Sequence, residues 1–138
     1  MIGLDTNVLV RYLAQDDETQ TTLANRLIET VCSEENPGFI GHIVLCELTW
    51  VLKAGYKVPK SDILRIIQQL LETKQLTIQE PQLIWAALKL YENSNIDFAD
   101  AMIVVIYRMQ GCSKTFTFDK RIGKLPDAID LGAEIASH

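Results

Sequence analysis

The amino-acid sequence predicts an α/β protein built on a parallel sheet. Short apolar runs of strand length alternate with longer segments of helical apolar spacing along the chain. Two of those runs, Ile2 to Leu4 and Thr115 to Phe118, are followed directly by an aspartate, where strands of an open sheet deliver polar side chains to its ligand-binding edge. A parallel sheet covered on both faces by helices follows.

Taken in order, Ile2 to Leu4 is a first strand, and VLVRYLAQ continues with Val8, Leu9, Tyr12 and Leu13 at helical spacing. Asp16, Asp17 and Glu18 open a second helix, Glu18 to Val31, whose acidic first turn complements the positive end of the helix dipole. Asn36, Pro37 and Gly38 mark a turn, Phe39 and Ile40 a brief buried strand, and Ile43 to Ala54 a third helix stopped by Gly55. Ser61, beside Asp62, is the expected cap of a fourth helix through Ile63, Ile66, Ile67, Leu70 and Leu71. Leu76 to Ile78 is a strand, and Pro81 suits the first turn of a helix that stops near Asn93 and Asn95. The helix within IDFADAMIVVIYRMQG is apolar enough from Ala101 to Ile106 to need burial nearly all round, and it ends at Gly111. Thr115 to Phe118 is an alternating strand that delivers Asp119, and Ala133 to Ala136 is the last strand candidate.

With 138 residues, 48% apolar and 22% charged, and only 7 Gly and 4 Pro, the composition excludes disorder and collagen-like repeats. One domain over residues 1–138 is expected, able to bury roughly two-thirds of the surface of the unfolded chain. The 13 Lys and Arg against 18 Asp and Glu give a net charge of -5, which argues against coating nucleic acid by bulk electrostatics. Handling a phosphodiester then requires a local inversion of sign, for which a bound divalent cation is the obvious source. Cys32, Cys46 and Cys112 lack the CxxC spacing of a zinc site and predict reduced thiols in a cytoplasm. The start, MIGLDTNVLVRYL, carries Asp5 and no preceding basic residue, so a signal peptide is not expected. No run approaches the approximately 18 apolar residues of a membrane span.

Five carboxylates abut strongly apolar segments: Asp5, Glu47, Asp97, Asp100 and Asp119. Alone, Asp5 or Asp119 reads equally as a cap of the next helix, and Glu47 as a side chain that reaches the surface from an apolar helix. Asp97 and Asp100, three apart, share one face at roughly 5 to 6 Å between Cβ atoms if both are helical, and otherwise serve as cap and dipole partner. Converging carboxylates repel unless a cation sits among them, so a cluster predicts a metal. Oxygen donors without Cys or a convincing His point to Mg²⁺ or Mn²⁺. His42, near the start of the third helix, reads as a polar surface or cap-region residue, and His138 is terminal.

GLDTNVLVRYLAQDD, CELTWVL around Glu47, DFADAMIVV around Asp100 and TFTFDKRI around Asp119 resemble, in order and spacing, the PIN domain, and more narrowly the VapC-type toxins of bacterial toxin–antitoxin modules. The similarity runs from Ile2 to about Ile135. It implies a three-layer α/β/α sandwich with a central parallel sheet, a Mg²⁺- or Mn²⁺-dependent ribonuclease activity, a homodimer, and a cognate antitoxin that holds the protein inactive. By that resemblance the acidic quartet is Asp5, Glu47, Asp100 and Asp119, and Asp97 matches an acid found in some members, as an extra ligand or a capping residue. Thr6, Asn7, Thr115 and Thr117 fall where short polar residues support the carboxylates.

The expected chemistry is hydrolysis of RNA by an activated water, with Asp5 and Asp100 the main ligands and one or two ions left open. Arg11, Lys114, Lys120 and Arg121, with Lys124, are candidate phosphate contacts, or else an ordinary solvated surface. Lys53, Lys57 and Lys60 form a second basic group around Gly55. A haloacid-dehalogenase-like phosphatase would need an aspartate at residue 7, where Asn7 stands. A non-catalytic, metal-binding regulatory or partner-binding module is the rival from another class, and metal-dependent cleavage separates it from a nuclease.

Overall fold

A Cβ on Gly38 would lie 2.7 Å from Leu4 Cδ1 and 3.1 Å from both Cys32 Sγ and Leu76 Cδ2, so those side chains would have to shift to admit one. In this computed structural model, which describes residues 1–136, that glycine begins the middle strand of a parallel sheet. Strands β1 (Ile2–Gly3), β2 (Gly38–Ile40) and β3 (Leu76–Ile78) lie in the order β1-β2-β3. The register pairs Ile2 with Gly38, Gly38 with Leu76 and Ile40 with Ile78. Backbone bonds extend the ladder beyond the strands, with Leu4 N donating to Phe39 O at 2.9 Å and Gln79 N to Ile40 O at 2.9 Å.

The chain divides into two compact units, Met1–Pro81 and Gln82–His138. The first holds this sheet and helices α1 (Thr6–Ala14), α2 (Glu18–Arg26), α3 (His42–Trp50) and α4 (Lys60–Glu72). Helix α1 packs on α2 and α3, and α4 packs on β3 through a stripe that includes the buried Ile63, Ile67 and Leu70. Both α2 and α3 widen into π-helical turns, Leu27–Val31 and Val51–Gly55, so the two helical segments end where the sequence predicts. Helix α4 starts one residue before Ser61: Pro59, extended at φ -68° and ψ 155°, occupies the cap position and Ser61 lies inside the first turn. Proline's fixed φ presets that entry without a side-chain hydrogen bond.

The second unit carries α5 from Pro81–Glu92, α6 (Phe98–Met109) and a parallel pair, β4 (Thr115–Thr117) with β5 (Ala128–Asp130), followed by α7 (Leu131–Ala136). Thr115 pairs with Ala128 and Thr117 with Asp130. Its buried side chains come mainly from α5 and α6, among them Ile84, Leu88, Phe98, Met102 and Val104, and Tyr91 meets Phe98 edge to face at 5.9 Å. Gly111, at φ 91°, ends the excursion of α6 as expected.

Two expectations are corrected here. The last strand is Ala128–Asp130, and Leu131–Ala136 is helical where Ala133 to Ala136 was expected as a strand. Asp130 explains the switch, because its Oδ1 accepts Gly132 N at 2.9 Å and starts the helix. Helix α6 is not buried all round, since Ile103 is 43% exposed. His138 lies outside the described residues. Among the described residues no helix is long and apolar enough to cross a membrane. Parallel strands flanked by helices in both units give the α/β class that the sequence predicts.

Candidate metal and nucleic-acid site

In the first unit, strand β1 ends on Asp5, which takes an extended conformation (φ -84°, ψ 163°) and caps α1 by accepting the Thr6 amide on Oδ1 at 2.8 Å. The cap fixes one carboxylate oxygen and leaves the side chain exposed. Thr6 is buried, and its hydroxyl donates to Glu47 Oε1 at 3.4 Å across 41 residues of sequence. One threonine therefore addresses both acids, by its amide and by its hydroxyl. Glu47 is exposed on α3, whose buried face is Leu45, Leu48 and Thr49. The apolar neighbours that frame it in sequence turn inward, so no interior carboxylate has to be stabilised. His42 opens α3 next to its cap residue Gly41, and its ring Nε2 lies 3.0 Å from Gln79 O, so it sits in the cap region without capping the helix.

Asn7 is exposed and borders an open apolar cleft of about 290 Å³ between α1 and α2, lined also by Val8, Leu23 and Leu27. Arg11 on the same cleft is heavily engaged. Its Nε donates to Gln20 Oε1 at 2.6 Å, and its Nη1 donates to Asp16 Oδ1 at 3.1 Å and to the Tyr56 hydroxyl at 3.3 Å. Tyr56 in turn donates to Asp16 Oδ2 at 2.7 Å. The Tyr56 hydrogen bond is the main cause of an Asp16 pKa below the ordinary carboxylate value, with Arg11 adding to it. Nothing in the sequence linked Tyr56 to Asp16, 40 residues away.

In the second unit, Asp97 holds the cap position of α6 (φ -73°, ψ 160°) and Asp100 lies in the first turn. Asp100 is half-buried, and its pKa is raised, first by burial and then by the charges of Asp97 and Asp119, with Arg121 and a backbone hydrogen bond from Asp97 opposing. Asp119 follows β4 and accepts the backbone N–H groups of Arg121 at 2.8 Å and Ile122 at 3.1 Å. The Ile122 amide is the chief reason that its carboxyl stays below the usual range, with Arg121 contributing. Thr117 Oγ1 accepts the Asp119 amide at 2.9 Å, which fixes the turn that presents the acid, and Thr115 is buried on the same strand. The Arg121 guanidinium stands 3.8 Å from Asp97 Oδ2 and 3.7 Å from Asp119 Oδ2. A residue expected to contact RNA is thus also the cation that offsets three acids. Lys114, Lys120 and Lys124 are exposed.

The second unit also contains a bidentate pair that the sequence did not signal, Arg108 Nε to Asp127 Oδ2 and Nη2 to Oδ1, both at 2.6 Å. Its partners lie 19 residues apart with no motif to join them. Among the described residues, neither unit by itself gathers three His, Cys, Asp or Glu side chains into a metal cage. What each unit offers is oxygen donors suited to a hard cation, and in the second unit a carboxyl whose ionised form is disfavoured by its acidic neighbours.

Asp5 and Asp119 thus stand just past the carboxyl ends of parallel strands, each hydrogen-bonded with a neighbouring threonine. The model of the PIN domain family matches residues 2–128, and the chain belongs to that family. It is similar to VapC ribonuclease of Aquifex aeolicus (strain VF5), at 27% identity over 122 residues, covering 88% of this chain and 90% of that protein. No solved structure matches it.

Proposed function

We propose that this protein is a divalent-metal-dependent endoribonuclease, the toxin of a type II toxin–antitoxin pair, in which Asp5, Glu47, Asp100 and Asp119 hold Mg²⁺ or Mn²⁺ and Asp97 is an auxiliary acid. The observation that carries this is the state of Asp100. A half-buried carboxyl, raised by burial and by two further aspartates, is an electrostatic position that a hard cation relieves. The family membership and the VapC ribonuclease relative support the same activity. When bound, a divalent cation supplies Lewis-acid chemistry, acidifying water and offsetting charge on the scissile phosphate.

The chain's own residues have separable tasks. Thr6 orients Asp5 and Glu47, and Thr117 fixes the turn that presents Asp119. Thr115 and Asn7 complete that supporting set. Lys114, Lys120 and Arg121 position phosphates without reading bases. Arg11 is a further candidate phosphate contact, in the first unit, with its donors bound to Asp16, Gln20 and Tyr56. Ile43 and Trp50, 77% and 69% exposed and seven residues apart on α3, suit the interface of a homodimer. The apolar cleft between α1 and α2 suits an apolar segment of the antitoxin. Free Cys32, Cys46 and Cys112 fit a reducing cytoplasm.

The test is cleavage-site mapping on total cellular RNA with Mg²⁺ or Mn²⁺, using the wild type and Asp5→Asn. Attack by water predicts new 5′-phosphate ends that need the metal and disappear in the variant. Ends carrying 2′,3′-cyclic phosphate contradict the mechanism. Equal inertness of both proteins favours a non-catalytic binding module.

A further inference from the structure

We propose that Phe116 and Phe118 form a platform on which two unpaired bases of an RNA strand stack, immediately before Asp119; this rests on the ribonuclease function proposed above. Strand β4 has its polarity inverted. Thr115 is buried and Thr117 half-buried, whereas Phe116 is 60% and Phe118 72% exposed. A strand with one face on a core turns its apolar side chains inward. Sliding the strand by one residue would hide both rings, because every side chain changes face. It would also carry Asp119 about 3.3 Å along the ladder, away from the place that the present register, with Thr117 opposite Asp130, gives it. The register that places Asp119 therefore holds the rings in solvent.

Their spacing suits bases that are not stacked on one another. Phe116 lies in β4 and Phe118 in the bend just past it; residues two apart in extended chain are about 6.6 Å apart, roughly twice the step between stacked bases, so each ring takes its own base from an extended strand. The surroundings suit a polyanion: residues 114–124 contain Lys114, Lys120, Arg121 and Lys124 against the single carboxylate Asp119, in a chain of net charge -5. Among the described residues Lys114, Lys120 and Lys124 make no ion pair. Cations with interleaved aromatic faces are what a single-stranded nucleic acid needs, since bases stack on rings whatever their sequence. A second copy of this chain suits the patch less well, because two-fold pairing through β4 sets the same cations against each other. A duplex has its base faces covered, so the platform selects unpaired RNA.

The experiment uses the full chain, a twelve-residue oligouridine RNA carrying one central 2-aminopurine, and the same oligomer annealed to its complement. In EDTA, wild type should bind the single strand and quench the 2-aminopurine by stacking. Phe116→Leu/Phe118→Leu, which keeps apolar bulk, should bind it about 10-fold or more weakly and without quenching, at the low end of what base–aromatic stacking contributes. Its Tm and the dependence of its affinity on salt should match wild type, and duplex binding should be equal for both. Phe118→Trp in the wild-type background should keep both affinity and quenching. In Mn²⁺, the double variant should cleave total cellular RNA more slowly at low RNA concentration, and the rate should recover at saturation. An unquenched wild-type complex, or equal single-strand affinity in the double variant, overturns the platform. A wild-type dimer that the double variant converts to monomer makes the rings an interface between copies and also overturns it. Failure of wild type to cut RNA in Mg²⁺ and Mn²⁺ sinks the ribonuclease function instead, whatever the fluorescence shows.

Discussion

In Met1–Pro81 a single threonine addresses two carboxylates with neutral donors, whereas in Gln82–His138 a guanidinium stands among three. Asp5 and Glu47 receive the amide and hydroxyl of Thr6, and among the described residues neither makes an ion pair. Asp97 and Asp119 lie within 3.8 and 3.7 Å of Arg121, and Asp100 is held in the field of both acids. Neutral donors orient a carboxylate without cancelling its charge, and a guanidinium cancels charge at close range. The first unit therefore fixes direction, and the second manages repulsion. Mutations of the same chemical kind should act differently in the two.

The largest effect should come from removing a donor on either side. Asp5→Asn or Asp100→Asn should each lower metal-dependent cleavage about 1,000-fold, since Lewis-acid stabilisation contributes several kcal/mol to the transition state. A single-turnover assay on a defined RNA measures this, and near-normal activity in one of the two would confine the chemistry to the other unit. Thr6 comes next. Thr6→Val should lose about 10- to 100-fold in activity or metal affinity and Thr6→Ser should recover most of it, if orientation by the hydroxyl is what the first unit provides. Equal loss in Ser and Val would mean that Thr6 acts through packing.

Arg121 sharpens the comparison from the other side. Arg121→Gln removes the cation from between Asp97 and Asp119, so Mn²⁺ should bind about 3- to 10-fold tighter by calorimetry while RNA binds more weakly. The smallest effect concerns stability. Because the folded-state pKa of Asp100 is raised, its ionisation costs stability that begins to appear above the unfolded value and is fully present once the pH exceeds the folded one. Asp100→Asn should thus raise Tm in EDTA at pH 7 by about one or two degrees, a small gain because the group is partly solvated. The difference should vanish below pH ~3.9, where the carboxyl is protonated folded and unfolded alike. Asp127 has the opposite sign. Its pKa is lowered chiefly by Arg108, so the stability it adds is present above the ordinary carboxylate value and disappears as the pH falls through the lower folded value. Asp127→Asn should lower Tm at pH 7, and by progressively less as the pH falls below ~3.9.

What the sequence made legible was whatever short-range pattern controls. The strand ends at Asp5 and Asp119, the glycine stop at Gly111 and the parallel strands all follow from local apolar runs and breakers. Leu131–Ala136 escaped because Asp130 has two local uses, pairing with Thr117 in the ladder and capping the next turn, and apolar spacing registers neither. Glu47 was recognisable as an acid in an apolar setting, yet its exposure depends on the direction of α3 within the first unit, which its neighbours in sequence do not specify. The ties Arg11 to Asp16 and Tyr56, and Arg108 to Asp127, join distant residues through side chains alone, and periodicity carries no trace of them. The outward rings of Phe116 and Phe118 were hidden by the alternation itself, which assigns two faces to a strand without saying which one is buried.

The account stands on Asp5 and Asp100 each being a donor to the metal that cleavage needs. Titration calorimetry with Mn²⁺ on wild type, Asp5→Asn and Asp100→Asn tests this directly. The predicted result is strong uptake by wild type, lost in either single variant. Undiminished uptake in Asp5→Asn alongside loss in Asp100→Asn would contradict it.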